Sequence, residues 1–188
     1  MASRQTPSQT VGPFFAPSLI EVGSENLVQA ETRGDRITIE GRIIDGDGAP
    51  VIDAMIEIWQ ANAEGRYDHL EDDQEKLLDP AFHGYGRAAT DARGAFRFET
   101  IKPGAVPGTD GVLQAPHINV SIFARGLLKR LCTRIYFPDD MLNQTDLVLI
   151  TIPPERRATL IASCAPGSSV MRFDIILQGA NETVFFDV

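Results

Sequence analysis

Three histidines, three tyrosines and two cysteines are the scarce reactive side chains in this 188-residue chain. Tyr67, in Gly65-Arg66-Tyr67, and His117, in His117-Ile118-Asn119, supply a phenol and an imidazole. Ligand type and number decide which metal a site keeps, and two donors alone make an incomplete site. His69 and His83 border the acidic run Glu71-Asp72-Asp73-Gln74-Glu75. Either imidazole has the chemistry of a general base, but the spacing offers no partner nucleophile, so both are expected as solvated loop residues. The acidic run lacks the alternating Asp/Asn and the Gly of a calcium loop and is expected to be solvated surface. Cys132 and Cys164 have no metal-type spacing and are expected as reduced, buried thiols.

The formal net charge of −9 argues against nucleic acid and anionic membrane surfaces, which attract clustered Lys and Arg. The same charge repels small anions, so an anionic substrate needs a local guanidinium, and individual Arg positions gain weight. The start, MASRQTPSQTVGPFF, lacks an apolar run followed by a small-residue cleavage site. No apolar stretch is long enough to span a bilayer. A cytoplasmic protein is the expectation.

These residues need elements to position them. Residues 1–17 hold three Pro and one Gly without a period and are expected as an extended arm, with residues 18–188 forming one domain. Arg36 to Ile44 alternates strictly, with Ile37, Ile39 and Ile43 on one face. Asp45-Gly46-Asp47-Gly48 is a strong turn signal, and Val51 to Trp59 reads as the returning strand, with Ile52, Ala54, Ile56 and Ile58 inward. Residues 60–88 lack periodicity and read as a long loop, a kind of segment that commonly carries function. Further strands are expected at Ala95–Thr100, His117–Phe123, Thr133–Phe137, Leu147–Ile152 and Met171–Leu177. Pro153-Pro154-Glu155 opens one helix running to about Ala162. Short strands with frequent turns predict an all-β antiparallel sandwich with long loops and one short helix.

Several stretches exceed what a generic sandwich requires: Ile58-Trp59-Gln60-Ala61-Asn62-Ala63, Gly65-Arg66-Tyr67, Phe82-His83-Gly84-Tyr85-Gly86-Arg87 and Ala115-Pro116-His117-Ile118-Asn119. With them, residues 6–188 resemble the intradiol ring-cleavage dioxygenases, whose Fe(III) is held by two Tyr and two His. In that resemblance Tyr67 matches the first Tyr. The second belongs in a Pro-Gly-x-Tyr-Pro segment, which here reads Pro103-Gly104-Ala105-Val106-Pro107. The His-x-His pair is His117 and Asn119, and an Arg of the catalytic chains is replaced by Gln114. Val106 has no donor atom, and the neutral amide of Asn119 is a poor substitute for imidazole at a hard ferric ion.

The resemblance therefore implies a chain that holds no metal itself, with Tyr67, Val106, His117 and Asn119 as vestigial ligand positions in a filled pocket. It implies a subunit whose partner is a homologous, iron-binding β chain, the two forming αβ units that assemble further. Such a complex opens 3,4-dihydroxybenzoate with O₂ to 3-carboxy-cis,cis-muconate at the partner's Fe(III). Residues carried over as this chain's share of the substrate pocket are Thr10, Gly12 and Pro13 of the arm and Arg125, a forked cation suited to a carboxylate. Two other readings stay open at this stage: a self-sufficient enzyme with unusual ligands, and a non-enzymatic sandwich module.

Overall fold

The alternation of Ile37, Ile39 and Ile43 with polar neighbours builds the central strand of the first sheet, β1 (Arg36–Ile44), over the predicted residues. The computed structural model describes residues 19–108, 111–138 and 140–187, so the expected arm at 1–17 lies outside the described residues. On one edge β1 pairs antiparallel with β4 (Ala95–Ile101), which sends Phe96 and Phe98 into the same core as the three isoleucines. On its other edge it pairs parallel with β10 (Val170–Arg172) and β11 (Ile175–Ile176), and β10 carries β9 (Ser163–Cys164) outward.

The second sheet has the order β3–β2–β7–β8, all antiparallel: β3 (Tyr85–Ala89), β2 (Met55–Trp59), β7 (His117–Phe123) and β8 (Leu131–Tyr136). Ile56, Ile58, Ile118, Val120, Ile122 and Ile135 face the first sheet across the shared core. A two-residue pair, β5 (Val106–Pro107) and β6 (Leu113–Gln114), stands beside these sheets. The all-β sandwich class is as expected, with two qualifications. The pairings of β1 with β10 and β11 are parallel, and there is more than one helix.

Several expected boundaries are corrected. Val51–Trp59 is not a strand returning beside β1. Only Ile44 and Pro50 bridge, then residues 52–53 turn and carry the chain into the other sheet, leaving Ile52 exposed. The supposed loop 60–88 contains β3, whose Gly86-Arg87-Ala88 offers little apolar alternation to read. Leu147–Ile152 looks like a strand by its apolar content but is helix α1 (Leu147–Thr151). The carboxylate of Asp146 accepts the N–H groups of Val148 and Leu149, both at 2.9 Å, satisfying donors that a helix start leaves free. Leu149 then anchors the helix in a second apolar cluster with Ala115, Tyr136 and Leu160. The expected helix at Pro153–Ala162 is the single turn α2 (Pro154–Arg157) followed by a 3₁₀ turn (Ala158–Leu160).

Met171–Leu177 is broken into β10 and β11 at Phe173-Asp174. There the Asp174 carboxylate accepts the N–H of Arg42 at 2.9 Å in place of a ladder bond. Opposite the break, a Cβ on Gly41 would lie 1.8 Å from the Phe173 carbonyl oxygen, so only glycine fits. Cys132 and Cys164 are free thiols but half-exposed, not buried, because both lie near sheet margins. Among the described residues no helix is long and apolar enough to cross a membrane.

Candidate functional site

The segment after β2 folds around two buried amides. Gln60 accepts from the Thr100 hydroxyl (2.8 Å) and donates to the Ile101 carbonyl (3.0 Å), tying the two sheets together. Asn62 accepts from the N–H groups of Glu64 and Arg66, both at 3.0 Å, and donates to the Leu77 carbonyl at 2.9 Å. Its own carbonyl takes the N–H of Gly104 at 2.9 Å. These bonds press Gly65 (φ +80°) so close to Ala105 that a Cβ would stand 2.0 Å from that carbonyl oxygen. The Trp-Gln-Ala-Asn motif is thus a clamp. It holds the Tyr67 segment against the Val106 segment, and these two line one shallow cavity with Trp59.

The Tyr67 ring stacks on Trp59 with centroids 5.5 Å apart, and its backbone N–H is taken by Asp72 at 2.8 Å. Asp72 therefore has a positioning role, although the acidic run was expected only as solvated surface. His69 and His83 are exposed as expected, and His83 pairs with Asp68.

On β7, His117 and Asn119 point to the same side because they are two residues apart. The register sets His117 opposite Tyr136 and Asn119 opposite Arg134 on β8. His117 is buried, and its Nδ1 donates to the Ala115 carbonyl at 2.8 Å. Burial and then the neighbouring Arg134 charge lower its pKa to about 4, so it is a neutral imidazole near pH 7. Burial raises the pKa of the Tyr67 phenol, while Arg134 and Asn119 pull against that rise. Burial likewise pushes Tyr136 up to about 12.

Arg134 stands in the middle of this group. Its Nε donates to Asn119 Oδ1 at 3.1 Å, and its Nη1 donates to Gln114 Oε1 at 2.8 Å and to the Tyr136 hydroxyl at 3.3 Å. The Asn119 amide nitrogen turns toward the Tyr67 hydroxyl, 3.4 Å away. Arg134 lies in Thr133-Arg134-Ile135-Tyr136-Phe137, a segment that carries the resemblance, but was not expected as a site residue. Its signal was cross-strand pairing with Asn119, which needs the register to be seen.

The structure therefore brings Tyr67, His117 and Asn119 into one polar group, and Val106 lines a cavity with Tyr67. This donor set does not fit a ferric ion. One phenol and one imidazole remain, the Asn119 oxygen is already accepting a hydrogen bond, and a guanidinium carries the positive charge of the site. Among the described residues no three His, Cys, Asp or Glu side chains come together in metal-binding geometry.

Arg125 is elsewhere. It follows the far end of β7 from His117, on an exposed turn, and pairs with Asp53. Thr10, Gly12 and Pro13 lie outside the described residues.

The Dioxygenase family profile matches residues 11–179. The protocatechuate 3,4-dioxygenase alpha chain of Burkholderia cepacia is 41% identical, over 98% of this chain and 98% of that one. The beta chain from the same organism is 40% identical, over 85% of this chain and 72% of that one. Among solved structures, the dioxygenase domain of a dioxygenase carbohydrate-binding protein fusion from Streptomyces sp. SirexAA-E aligns with a TM-score of 0.65 at 29% identity. That alignment covers 94% of this chain and all of that domain.

Proposed function

We propose, from the premise that this chain belongs to the intradiol dioxygenase family, that it is the metal-free α subunit of a protocatechuate 3,4-dioxygenase. Its partner is a homologous β chain that carries the Fe(III), and the pair opens 3,4-dihydroxybenzoate with O₂ to 3-carboxy-cis,cis-muconate in the cytoplasm. When bound in the partner, the iron supplies Lewis-acid activation of the catechol. This chain contributes part of the pocket wall and the contacts that assemble αβ units into a larger particle.

The observation that carries this reading is Arg134. A guanidinium bonded to Asn119, Gln114 and Tyr136 sets a positive charge beside the matched ligand positions, which disfavours a cation there. A second positive charge there would face the Arg134 guanidinium, and no carboxylate bonds that guanidinium directly. Thr10, Gly12 and Pro13 are assigned to the wall of the partner's pocket. Gly12-Pro13 suits a rigid turn that lets backbone approach a ligand. Arg125 is assigned to the substrate carboxylate. Its guanidinium pairs with Asp53 through Nε but stays largely exposed at the end of β7, away from this chain's own site, so a neighbouring subunit's ligand would compete with that pair.

Metal analysis and visible absorption of the chain, purified alone and with a ligand-complete β chain, test the reading. The expected result is a colourless, inactive chain with well below one iron, and a coloured, active pair with one iron per αβ unit. One tightly held iron in the chain alone overturns it.

A further inference from the structure

The outer face of β2, β7 and β8 carries a cleft of about 610 Å³ beside the Arg134 group. That is a volume suited to a small organic ligand. Trp59, Tyr85 and Phe186 supply aromatic surface, and Arg130 and Arg134 supply charge. Trp59 and Tyr85 sit 6.4 Å apart and tilted by 58°, so their rings form an angled wall instead of closing on each other. Tyr85 remains 44% exposed although it is a large aromatic side chain.

The charge balance of the cleft is uneven. Each of its two carboxylates already has a cationic partner. Glu57 takes Arg87 at 2.7 Å and the Tyr85 hydroxyl at 2.8 Å, and Asp187 takes Lys129 at 2.8 Å. Its two guanidiniums are not. Arg134 donates only to neutral acceptors, and Asp146 reaches it only through the Tyr136 hydroxyl, 3.2 Å from that carboxylate. Arg130 has no hydrogen-bond or ion-pair partner among the described residues. In a chain of net charge −9, a half-buried guanidinium without a carboxylate beside an aromatic wall is an anion site. The wall selects a flat ring, because aromatic surface stacks well on aromatic faces and poorly on hydrated ions.

We propose that this chain itself binds a small aromatic carboxylate in this cleft, the ring against Trp59 and Tyr85 and the carboxylate on Arg130 and Arg134. The proposal rests on the reading that Arg134, not a metal, holds the centre of the adjoining group. It gives the α chain a ligand of its own, of the same chemical class as the substrate assigned to the complex.

Trp59 is the only tryptophan and lines the cleft, so its fluorescence reports occupancy directly. Titration of the full chain with benzoate is expected to give a saturable change at micromolar to millimolar concentration. Benzamide, which keeps the ring without the charge, and acetate, which keeps the charge without the ring, are each expected to bind at least roughly tenfold more weakly. Arg134→Gln and Arg130→Gln are each expected to weaken benzoate by a similar factor. Arg130 is exposed, so its variant keeps the test clear of folding defects, and far-UV circular dichroism checks both. No saturable change up to about 10 mM benzoate overturns the proposal. So does benzoate binding that neither substitution alters, or binding that acetate or benzamide matches. Iron content of the same sample is read independently, so the metal assignment and the ligand proposal can fail separately.

Discussion

A neutral imidazole enclosed beside a guanidinium sets a pH limit on this chain. His117 has a folded-state pKa of about 4 against about 6.5 when unfolded. The unfolded chain therefore binds the extra proton first, between those values. Stability from this residue is complete above about pH 6.5 and is lost as pH falls toward 4. Urea midpoints measured from pH 7 to pH 4.5 are expected to fall more for the parent chain than for His117→Gln, which cannot take up the proton. Parallel curves would place the acid sensitivity elsewhere. At this scale the family resemblance, not residue type alone, marks Val106 and Asn119 as positions where donors are expected and this chain has none. The guanidinium at the centre of this polar group was not legible. The segment around Arg134 does not mark it as a site residue, and it meets Asn119 only when β8 pairs in register with β7.

At the scale of elements, one buried carboxylate joins three of them. Asp146 is fully buried, caps α1 through two N–H groups, accepts the Ala115 N–H before β7 at 2.8 Å, and meets the Tyr136 hydroxyl on β8. Asp146→Ala removes a cap and strands the buried Ala115 donor, together about 2–4 kcal/mol. Thermal or urea denaturation is expected to show that loss. A change below about 0.5 kcal/mol, typical of a surface substitution, would contradict it. Because Tyr136 also accepts from Arg134, the variant is expected to loosen the polar group as well. Strands β1, β4 and β7 were legible because alternation and burial agree residue by residue along them. α1 was not, since Leu-Val-Leu-Ile-Thr has the composition of a strand and its helical state depends on a single capping aspartate. β3 was missed for the opposite reason: its glycines and alanines carry almost no apolar contrast.

For the whole molecule, the sandwich and its family were legible, while the proposed division of labour between chains rests on residues at surfaces. Arg125 tests that division. In the αβ complex, loss of a hydrogen bond to a charged substrate group is worth about 1.5–3 kcal/mol. Arg125→Ala is therefore expected to lower kcat/KM for 3,4-dihydroxybenzoate roughly 10- to 150-fold, with iron content unchanged. Catechol, lacking the carboxylate, is expected to lose much less. Equal losses on both substrates with intact assembly would leave Arg125 as the surface partner of Asp53 that the single chain displays.

The parallel seam along β1 has a consequence for how the chain is made. β1 spans residues 36–44, yet the strands that cover its second edge come from residues 170–176. A ribosome adds on the order of 5–20 residues per second. So β1 and β4 can meet while the central seam still waits several seconds for residues 170–176 to emerge. Throughout that interval β1 presents an unpaired, isoleucine-rich edge of the kind that recruits foreign strands. The nascent chain is thus exposed to aggregation until residues 170–176 emerge, and deleting those residues would make that exposure permanent.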